Sequence, residues 1–310
     1  MFTRRLAPLT FALIAVVAAC AAPGAAAPAT DQQSAAPSSA TPSASRPAAP
    51  PIETVPAGEL LFEGSLLICS DLPYPPQEFF DAQGNPIGSD IEIGQEIARR
   101  LGLQARIVNS MFDTIIDAVL GGKCDIVISA QNITAEREAR VTMIPYFKAG
   151  QTFLVQQDNP AAIHTELDLC AKRIAAQSGT VEVDFVQGTG DYRDLGLSRM
   201  CRQVKKGKIE LHEFDKDDEA LEALINGDVD AYFVDSPAAG YHVIQRSAEL
   251  DLSGLTLDIA PQGISVPPDK TGLERAVRSA LDAMISDGTY VGILARYGVE
   301  DGSVAQDIDR

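Results

Sequence analysis

The stretch Cys124–Arg140, CDIVISAQNITAEREAR, decides the fold of this chain. Its first part, Asp125–Ser129, is a short β-branched run that follows two glycines, which is typical of a buried parallel strand. Thr134 is suited to cap a helix, and Glu136 in the first turn suits the helix dipole. A buried strand, the loop Ala130–Ile133 and a helix in this order predict one unit of an α/β sheet.

Polar side chains and one cation stand where this strand ends. Ser129 closes the strand, Ala130 and Asn132 lie in the loop, and Arg137 comes one helical turn later. Ligands of open α/β sheets bind outside the carboxyl ends of the strands. Backbone N–H groups, short side-chain dipoles and a guanidinium together suit a carboxylate, so the motif predicts an anion site. From this motif alone, an ordinary solvated role for Arg137 stays open.

The amino terminus has the layout of a secretory signal. Arg4 and Arg5 precede the apolar run Leu6–Ala19, and small residues stand directly before Cys20. This resembles the bacterial lipobox, whose cysteine carries the lipid, and the run is shorter than the ~20 residues that span a bilayer. We expect a lipoprotein signal peptide over residues 1–20 and a lipid anchor at Cys20. The protein is then held outside the cytoplasm at the bacterial cell membrane, in the periplasm or on the cell surface.

Composition separates a tether from the folded part. Residues 21–55 are almost entirely Ala, Pro, Ser, Thr and Gly, so they bury too little apolar surface to fold and predict a disordered tether. The formal net charge of −18 argues against nucleic acid and anionic membrane surfaces as partners, because both would repel the chain. His164, His212 and His242 fall in no metal-ligand spacing, so we predict no metal and no cofactor.

The cysteines after Cys20 stand where disulfides persist. Cys170 and Cys201 flank one predicted strand–helix unit and are predicted to pair. In the chain-entropy model, a disulfide that closes this loop stabilises the fold by ~3–4 kcal/mol. Cys69 lies near the end of one predicted strand and Cys124 before the start of another. In neighbouring parallel strands these two sulfurs are far apart, so we expect both to be free and buried.

Strand and helix patterns alternate along the chain, which predicts parallel sheet with helices on both faces. Asp90 and Ser236 are predicted to cap the helices that follow them. The predicted strands are Leu66–Ser70, Ala105–Asn109, Asp125–Ser129, Arg173–Ala176, Ile209–Phe214 and Val229–Val234. The predicted helices are Ile91–Leu101, one carrying Ile115 to Leu120, one from Val181, Glu219–Ile225, Leu273–Ile285 and Val291–Tyr297.

Two extended segments without a helix signal, Phe147–Gln156 and Ile259–Val266, interrupt this alternation. We interpret them as crossings between two lobes. The predicted lobe 1 comprises residues 56–155 and 261–310, and the predicted lobe 2 comprises residues 156–260.

Several short motifs occur in one order along the chain. They are Asp71 with Tyr74-Pro-Pro, Gly88-x-Asp90-Ile-Glu, Gly122-Lys-x-Asp125-Ile-Val-Ile-Ser129, Ile133-Thr-x-Glu-Arg137, Gln177-Ser-Gly-Thr180, Asp230-Ala-x-x-x-Asp235 and Asp287-Gly-Thr-Tyr-x-x-Ile. From about Leu60 to Val299 the sequence closely resembles family 3 of the extracellular solute-binding proteins, the polar amino-acid receptors of ABC importers. The resemblance implies a two-lobe periplasmic-binding-protein fold, with the two crossings as its hinge. It also implies a monomer that is not an enzyme, captures a free amino acid by hinge closure and delivers it to a permease with a cytoplasmic ATPase.

The resemblance also implies how the ligand backbone is held. Arg137 would bind the α-carboxylate, helped by Thr180 and by backbone amides near Asn132 and Val181, and Asp235 would bind the α-ammonium. Val181 stands where the family often has Thr, so the helix amides must carry more of the carboxylate clamp. A closed cleft strengthens both charged contacts by excluding water.

The ligand side chain would lie between Tyr74 and Phe112, with Ser129 near the ammonium. Around the side chain, the polar candidates are Asp71, Gln177 and Gln77, although for Gln77 simple loop solvation is an equal alternative. The predicted ligand-binding set is Asp71, Tyr74, Phe112, Ser129, Ala130, Asn132, Arg137, Gln177, Thr180, Val181 and Asp235.

Two other functions share this architecture. Periplasmic dehydratases of the cyclohexadienyl type have the same fold, but no nucleophile–His pair stands at the predicted cleft. A component that presents its ligand to a separate sensor is the other alternative. The amino acid itself is not predicted, because selectivity depends on loop geometry.

Overall fold

The computed structural model describes residues 51–305 of the chain. The strands are β1 (Ser65–Ser70), β2 (Phe79–Phe80), β3 (Pro86–Ile87), β4 (Gln104–Asn109), β5 (Ile126–Val127), β6 (Thr142–Gln156), β7 (Arg173–Gln177), β8 (Glu210–Phe214), β9 (Ala231–Asp235) and β10 (Leu250–Val266). The α-helices are α1 (Ser89–Arg100), α2 (Ile115–Leu120), α3 (Ala135–Glu138), α4 (Val181–Gln187), α5 (Leu197–Gln203), α6 (Asp217–Ile225), α7 (Ser236–Gln245), α8 (Thr271–Asp287) and α9 (Thr289–Arg296). The predicted signal peptide with Cys20 and most of the predicted tether lie outside the described residues.

All strands except the β2–β3 hairpin form one sheet, in the order β4-β1-β5-β10-β6-β9-β7-β8. β1 pairs in parallel with β4 and β5, and β7 pairs in parallel with β8 and β9. The central pair, β6 and β10, is antiparallel. The sheet therefore has a parallel part on each side, as predicted, joined through two long strands.

The predicted crossing segments are only parts of these long strands. β6 begins at Thr142 rather than Phe147, and β10 begins at Leu250 rather than Ile259. Backbone pairing between them runs from Leu250 opposite Gln156 to Val266 opposite Thr142. The predicted starts were wrong because strand pairing continues into both lobes beyond the crossing.

Separate cores form on the two sides of the central pair. One side buries apolar residues from positions 66–149 and 264–304. The other side buries apolar residues from positions 153–250. We call these sides lobe 1 and lobe 2. The exact residue bounds of each lobe remain a prediction. Among residues 51–305, no helix is long and apolar enough to cross a membrane.

The start of α1 differs from the prediction. Gly88, not Asp90, is the N-cap, with φ of 128°. A Cβ at this position would lie 2.0 Å from the carbonyl oxygen of Gln77, so only glycine fits. Asp90 turns inward instead, and its carboxylate accepts hydrogen bonds from the Ala130 backbone N–H at 2.9 Å and from the Tyr146 hydroxyl.

The other two predicted caps have opposite outcomes. Thr134 caps α3 as predicted, and its hydroxyl oxygen accepts a bond from the Arg137 backbone N–H at 3.2 Å. The prediction that Ser236 caps α7 was wrong, since Asp235 occupies the N-cap position. The Ser236 hydroxyl donates to the Gly150 carbonyl at 2.8 Å, so it ties α7 to β6.

Both pairs of cysteines are bonded. Cys170 and Cys201 pair as predicted, with Cα atoms 5.5 Å apart. The prediction that Cys69 and Cys124 are free was wrong, because their Cα atoms are 5.7 Å apart and their sulfurs are bonded. Cys124 is not in line with β5 but lies in the bend after α2, where Gly122 has a positive φ of 75°. This bend brings Cys124 back over the strand that contains Cys69.

The prediction also missed local elements. β5 has two residues where five were predicted, and neither the β2–β3 hairpin nor α5 has a predicted counterpart.

Candidate ligand-binding site

Nine residues of the predicted ligand-binding set meet in one cavity between the lobes. The cavity has an empty volume of about 310 Å³. Two carboxylates outside the predicted set, Glu78 and Glu182, also line it. The nine predicted residues that line it are Asp71, Tyr74, Phe112, Ser129, Ala130, Asn132, Gln177, Thr180 and Asp235.

Strand ends bring these residues together. Asp71 directly follows β1 and Ser129 follows β5, while Gln177 and Asp235 are the last residues of β7 and β9. Parallel strands place their carboxyl ends at one edge of each lobe's sheet, and the central pair turns the two edges toward one cavity. The general strand-end rule therefore accounts for the position of the site.

Arg137 lies beside the cavity rather than in its wall. Together with Val181 it lines an adjoining pocket, which shares Phe112 and Thr180 with the cavity. The Arg137 guanidinium lies 5.4 Å from the centre of the Phe112 ring, within cation–π range. Of the predicted ligand-binding set, only Arg137 and Val181 are outside the main cavity.

The Arg137 guanidinium joins the two lobes. Its Nη1 donates to the Asn132 carbonyl at 2.8 Å and its Nη2 donates to the Gly179 carbonyl at 2.9 Å. Gly179 has φ of 78°, and a Cβ there would lie 2.6 Å from Asp113 Cα, so glycine permits this close approach. The Arg137 side chain is only 9 % exposed, and this burial lowers the pKa of its guanidinium. The two bonds use only part of its N–H donors, so it retains capacity for an anion.

Asp235 is a buried carboxylate with one partnered oxygen. Its Oδ2 accepts bonds from the Tyr74 hydroxyl at 3.1 Å and from Gln262 Nε2 at 3.0 Å. Its Oδ1 is buried and has no hydrogen-bond partner among the described residues. Burial, followed by the charge of Glu182, raises the pKa of Asp235 well above its ordinary value. An ammonium group that contacts Oδ1 would stabilise the ionised form.

Asp71 is already paired by the opposite lobe. Gln177 Nε2 donates to one carboxylate oxygen at 2.6 Å, and the Lys216 ammonium contacts the other. Burial raises the pKa of Asp71, while the bond to Lys216 opposes that shift. These contacts make Asp71 part of an interlobe link, and Lys216 neutralises its charge.

Glu78, unlike Asp71, has a partner for only one of its two carboxylate oxygens among the described residues. It is fully buried, its Oε1 accepts a bond from the Ser129 hydroxyl at 2.6 Å, and its Oε2 has no partner among residues 51–305. Burial raises the pKa of Glu78 well above its ordinary value, and the nearby charge of Asp90 adds to the shift. A cationic group that contacts Oε2 would complete this site.

Glu182 is the second buried carboxylate that was not predicted. It lies in the first turn of α4, is 4 % exposed and lines the cavity, and its Oε1 has no partner in the described part of the chain. Burial raises the pKa of Glu182 to about 7, and the charge of Arg137 opposes that rise.

Gln77 does not line the cavity. Its side chain is fully buried beneath α1, and neither amide atom has a hydrogen-bond partner within residues 51–305. The loop-solvation alternative is also wrong, because a buried side chain is not solvated.

Of the three charged residues that the sequence prediction missed, two have positions that the sequence could have indicated. Lys216 stands two residues beyond the end of β8, so the same strand-end rule points to it. Glu182 follows Thr180 and Val181, which were both predicted. Glu78 had no such signal, because the loop that carries it is buried by the β2–β3 hairpin and α1.

Two histidines lie next to carboxylates. His242 Nε2 is 3.0 Å from a carboxylate oxygen of the buried Asp217, and His212 Nε2 is 3.3 Å from a carboxylate oxygen of Glu210. Across residues 51–305, no group of His, Cys, Asp and Glu side chains is arranged to hold a metal ion.

Comparison with known proteins identifies the family. Residues 66–300 match the bacterial extracellular solute-binding proteins, family 3. The chain belongs to this family. The sequence is 28 % identical over 253 residues to the arginine-binding protein ArgT of Corynebacterium glutamicum, covering 82 % of this chain and 80 % of that protein.

Solved structures agree with the fold. An ancestral arginine-binding protein bound to arginine has a TM-score of 0.68 and 31 % identity, covering 76 % of this chain and 98 % of that one. The ancestral amino acid-binding protein AncCDT-1, a precursor of cyclohexadienyl dehydratase, has a TM-score of 0.62 and 30 % identity, covering 76 % and 95 %. The two-lobe solute-binding fold predicted from the motifs is thus confirmed.

Proposed function

We propose that this protein captures a free amino acid with a cationic side chain outside the cytoplasm and delivers it to an ABC importer. The observation that carries the proposal is the charge pattern of the interlobe cavity. Arg137 stands at one edge as the anion partner, and Asp235 presents an unpartnered buried oxygen as the ammonium partner. An α-amino acid carries these two complementary charges on either side of its Cα.

The side-chain preference follows from the remaining carboxylates. Asp71 has its own cation in Lys216, but within residues 51–305 Glu78 has no cation and keeps a buried oxygen without a hydrogen-bond partner. A guanidinium or ammonium at the end of the ligand side chain would satisfy Glu78 by a charge-assisted hydrogen bond. The names of the arginine-binding relatives support the same ligand class.

Hinge closure couples capture to delivery. Arg137, Tyr74, Glu78 and Phe112 belong to lobe 1, whereas Asp235 belongs to lobe 2. A ligand held by one lobe gains its second charged partner only when the other lobe closes. In this proposal a permease with a cytoplasmic ATPase receives the closed, loaded form, and lipid at Cys20 keeps the monomeric protein beside it.

A thermal-shift screen tests the proposal. The purified chain without residues 1–20 is heated with each of the twenty common amino acids, with ornithine and with agmatine, the decarboxylated analogue of arginine. A ligand at 100 times its dissociation constant should raise the free energy of unfolding by ~2.7 kcal/mol. We expect arginine, ornithine or lysine to give the largest shift. Absence of a shift with every compound would contradict amino-acid capture.

A further inference from the structure

Glu182 stands where the ligand carboxylate is expected, and this creates a problem of charge. It lies two residues after Thr180 in the first turn of α4, and it shares the cavity wall with Phe112, Asn132 and Asp235. The Arg137 guanidinium lies over the Phe112 ring and bonds to the Asn132 carbonyl. Glu182 is also within electrostatic range of both groups that are proposed to hold the ligand backbone, because the charge of Arg137 acts on Glu182 and the charge of Glu182 acts on Asp235.

An ionised Glu182 would leave one negative charge too many beside the ligand backbone. Arg137 balances the α-carboxylate of an amino acid, and Asp235 balances its α-ammonium. If Glu182 is ionised as well, one negative charge beside the ligand carboxylate has no partner. An unbalanced charge in a closed, buried cleft is costly, and a carboxyl group in that position neutralises by binding a proton.

We propose that Glu182 makes amino-acid capture proton-coupled, so that closure on an α-carboxylate requires a neutral Glu182 and takes up a proton from solvent. The inference rests on the proposed function. Its basis is geometric: Glu182 is 4 % exposed, its Oε1 has no partner among residues 51–305, and it lies in the same cavity wall as Asp235, next to the adjoining pocket that Arg137 lines. The protonated group would donate a hydrogen bond to the ligand carboxylate instead of repelling it.

Titration of the surrounding groups sets the pH window. Burial raises the pKa of Glu182 to about 7, so protonation is accessible near neutral pH. A guanidinium stays protonated in this range. Burial raises the pKa values of Tyr74 and Tyr232 well above the ordinary value of a tyrosine, so neither titrates near neutral pH. Asp235 and Glu78 line the same cavity and also have raised pKa values, but both must be ionised to bind the cationic groups of the ligand, so both weaken binding on the acid side.

Affinity for the amino acid should decrease as pH rises, because binding requires a protonated Glu182. Ligand binding raises the pKa of Glu182 further, so affinity is highest below the pKa of the free protein. As pH increases above that value, affinity should fall by up to ~10-fold per pH unit until the pKa of the bound state is reached. Removal of the charge at Glu182 should remove this alkaline loss and leave the acid-side loss due to Asp235 and Glu78.

Titration calorimetry tests the proposal with L-arginine, or with the strongest binder of the thermal-shift screen. Binding is measured from pH 6 to 8.5 in two buffers of different ionisation enthalpy, which gives the number of protons taken up. The variants are Glu182→Gln and the matched control Glu219→Gln, an exposed residue of α6 in the same lobe. Glu182→Ala serves as a second variant if the first does not fold.

We expect the wild type and Glu219→Gln to take up protons at pH 7–8.5 and to lose affinity as pH rises. Glu182→Gln should take up fewer protons, show nearly constant affinity above pH 7, and bind at least as tightly as the wild type at pH 8. Equal proton uptake in the wild type and Glu182→Gln would overturn the inference and leave the proposed function intact. Absence of amino-acid binding by the wild type at every pH would overturn both.

Discussion

Asp71 and Glu78 are buried carboxylates from the same loop of lobe 1, but the protein treats them differently. Asp71 reaches across the cleft to Gln177 and Lys216, so both of its oxygens have partners. Glu78 has one partnered oxygen, bonded by Ser129 of its own lobe, and one without a partner among the described residues.

This difference separates two uses of a buried charge. A carboxylate whose partners all come from the protein stabilises the closed arrangement and contributes little to ligand choice. A carboxylate with a buried, unpartnered oxygen pays a desolvation cost that a ligand group can offset. Glu78 and Asp235 belong to the second class, and they mark two ends of the proposed ligand.

Removal of Arg137 should have the largest effect on binding, because the contacts at Glu78 and Asp235 both depend on a ligand whose carboxylate is held. Arg137→Ala leaves that carboxylate buried without its cation, which costs ~3–5 kcal/mol, or more than ~100-fold in affinity. Calorimetry measures the loss, and circular dichroism checks the fold. The control is Arg99→Ala, which removes an exposed arginine of α1 in the same lobe. Near wild-type affinity in Arg137→Ala would remove this residue from the site.

The second largest effect is expected at Asp235. Asp235→Asn keeps the shape of the side chain but removes the charge that holds the ammonium, so affinity should fall by at least ~30-fold. Because lobe 2 then lacks its charged partner, saturating ligand should no longer compact the protein. Small-angle scattering with and without ligand measures the radius of gyration.

Asp218→Asn, an exposed position of α6, is the control and should compact as the wild type does. A wild type whose radius of gyration does not change at saturation, or an Asp235→Asn variant that compacts fully, would contradict the two-lobe clamp.

The strand-end rule explains which parts of this site the sequence predicts. Gln177 and Asp235 end strands and Ser129 follows one. Their convergence depends on parallel pairing, which hydrophobic runs and helix caps reveal. Arg137 is placed by the short helix that Thr134 caps. These relations are local in sequence, so pattern and propensity are sufficient to find them.

The parts that were not predicted depend on tertiary detail. Cys69 and Cys124 meet because the chain bends at Gly122, and no periodicity reports the direction of a bend. Glu78 is buried in a loop whose carbonyl groups at Pro76 and Gln77 accept bonds from the first backbone N–H groups of α1, and no local pattern reports this contact. Strand pairing likewise extends β6 and β10 through both lobes, which a search for crossing segments between helices does not detect.

Comparison of Glu78→Gln with Asp71→Asn sharpens the contrast between the two carboxylates. Loss of a charge-assisted bond to a cationic side chain should weaken arginine binding by ~10–100-fold in Glu78→Gln, because such bonds contribute ~1.5–3 kcal/mol. Glutamine, as a neutral probe, should lose less than ~3-fold. Asp71→Asn should affect the two ligands about equally. A larger, arginine-selective loss in Asp71→Asn would assign the ligand side chain to Asp71 instead.

The smallest expected effect concerns the interlobe pair itself and is measured on stability. Lys216→Met leaves Asp71 buried without its cation, whereas Asp71→Asn with Lys216→Met removes both charges. A double-mutant cycle in urea at pH 7 should give a coupling of ~1–2 kcal/mol in the free energy of unfolding. Lys208→Met, an exposed lysine of lobe 2, should change stability by less than ~0.5 kcal/mol.

The pH dependence of Lys216→Met gives a second test of the same pair. The pKa of Asp71 is already raised by burial, and the bond to Lys216 opposes that rise, so its removal should raise the folded-state pKa further. A carboxyl group with a raised folded-state pKa stabilises the protein less as pH increases above its unfolded-state pKa. Relative to the wild type, Lys216→Met should therefore lose stability between pH 4 and 7, and the double variant should not. If the free energy of unfolding varied with pH in the same way in the wild type and Lys216→Met, and the double-mutant cycle gave no coupling, Lys216 would not neutralise Asp71. The difference between Asp71 and Glu78 would then need another cause.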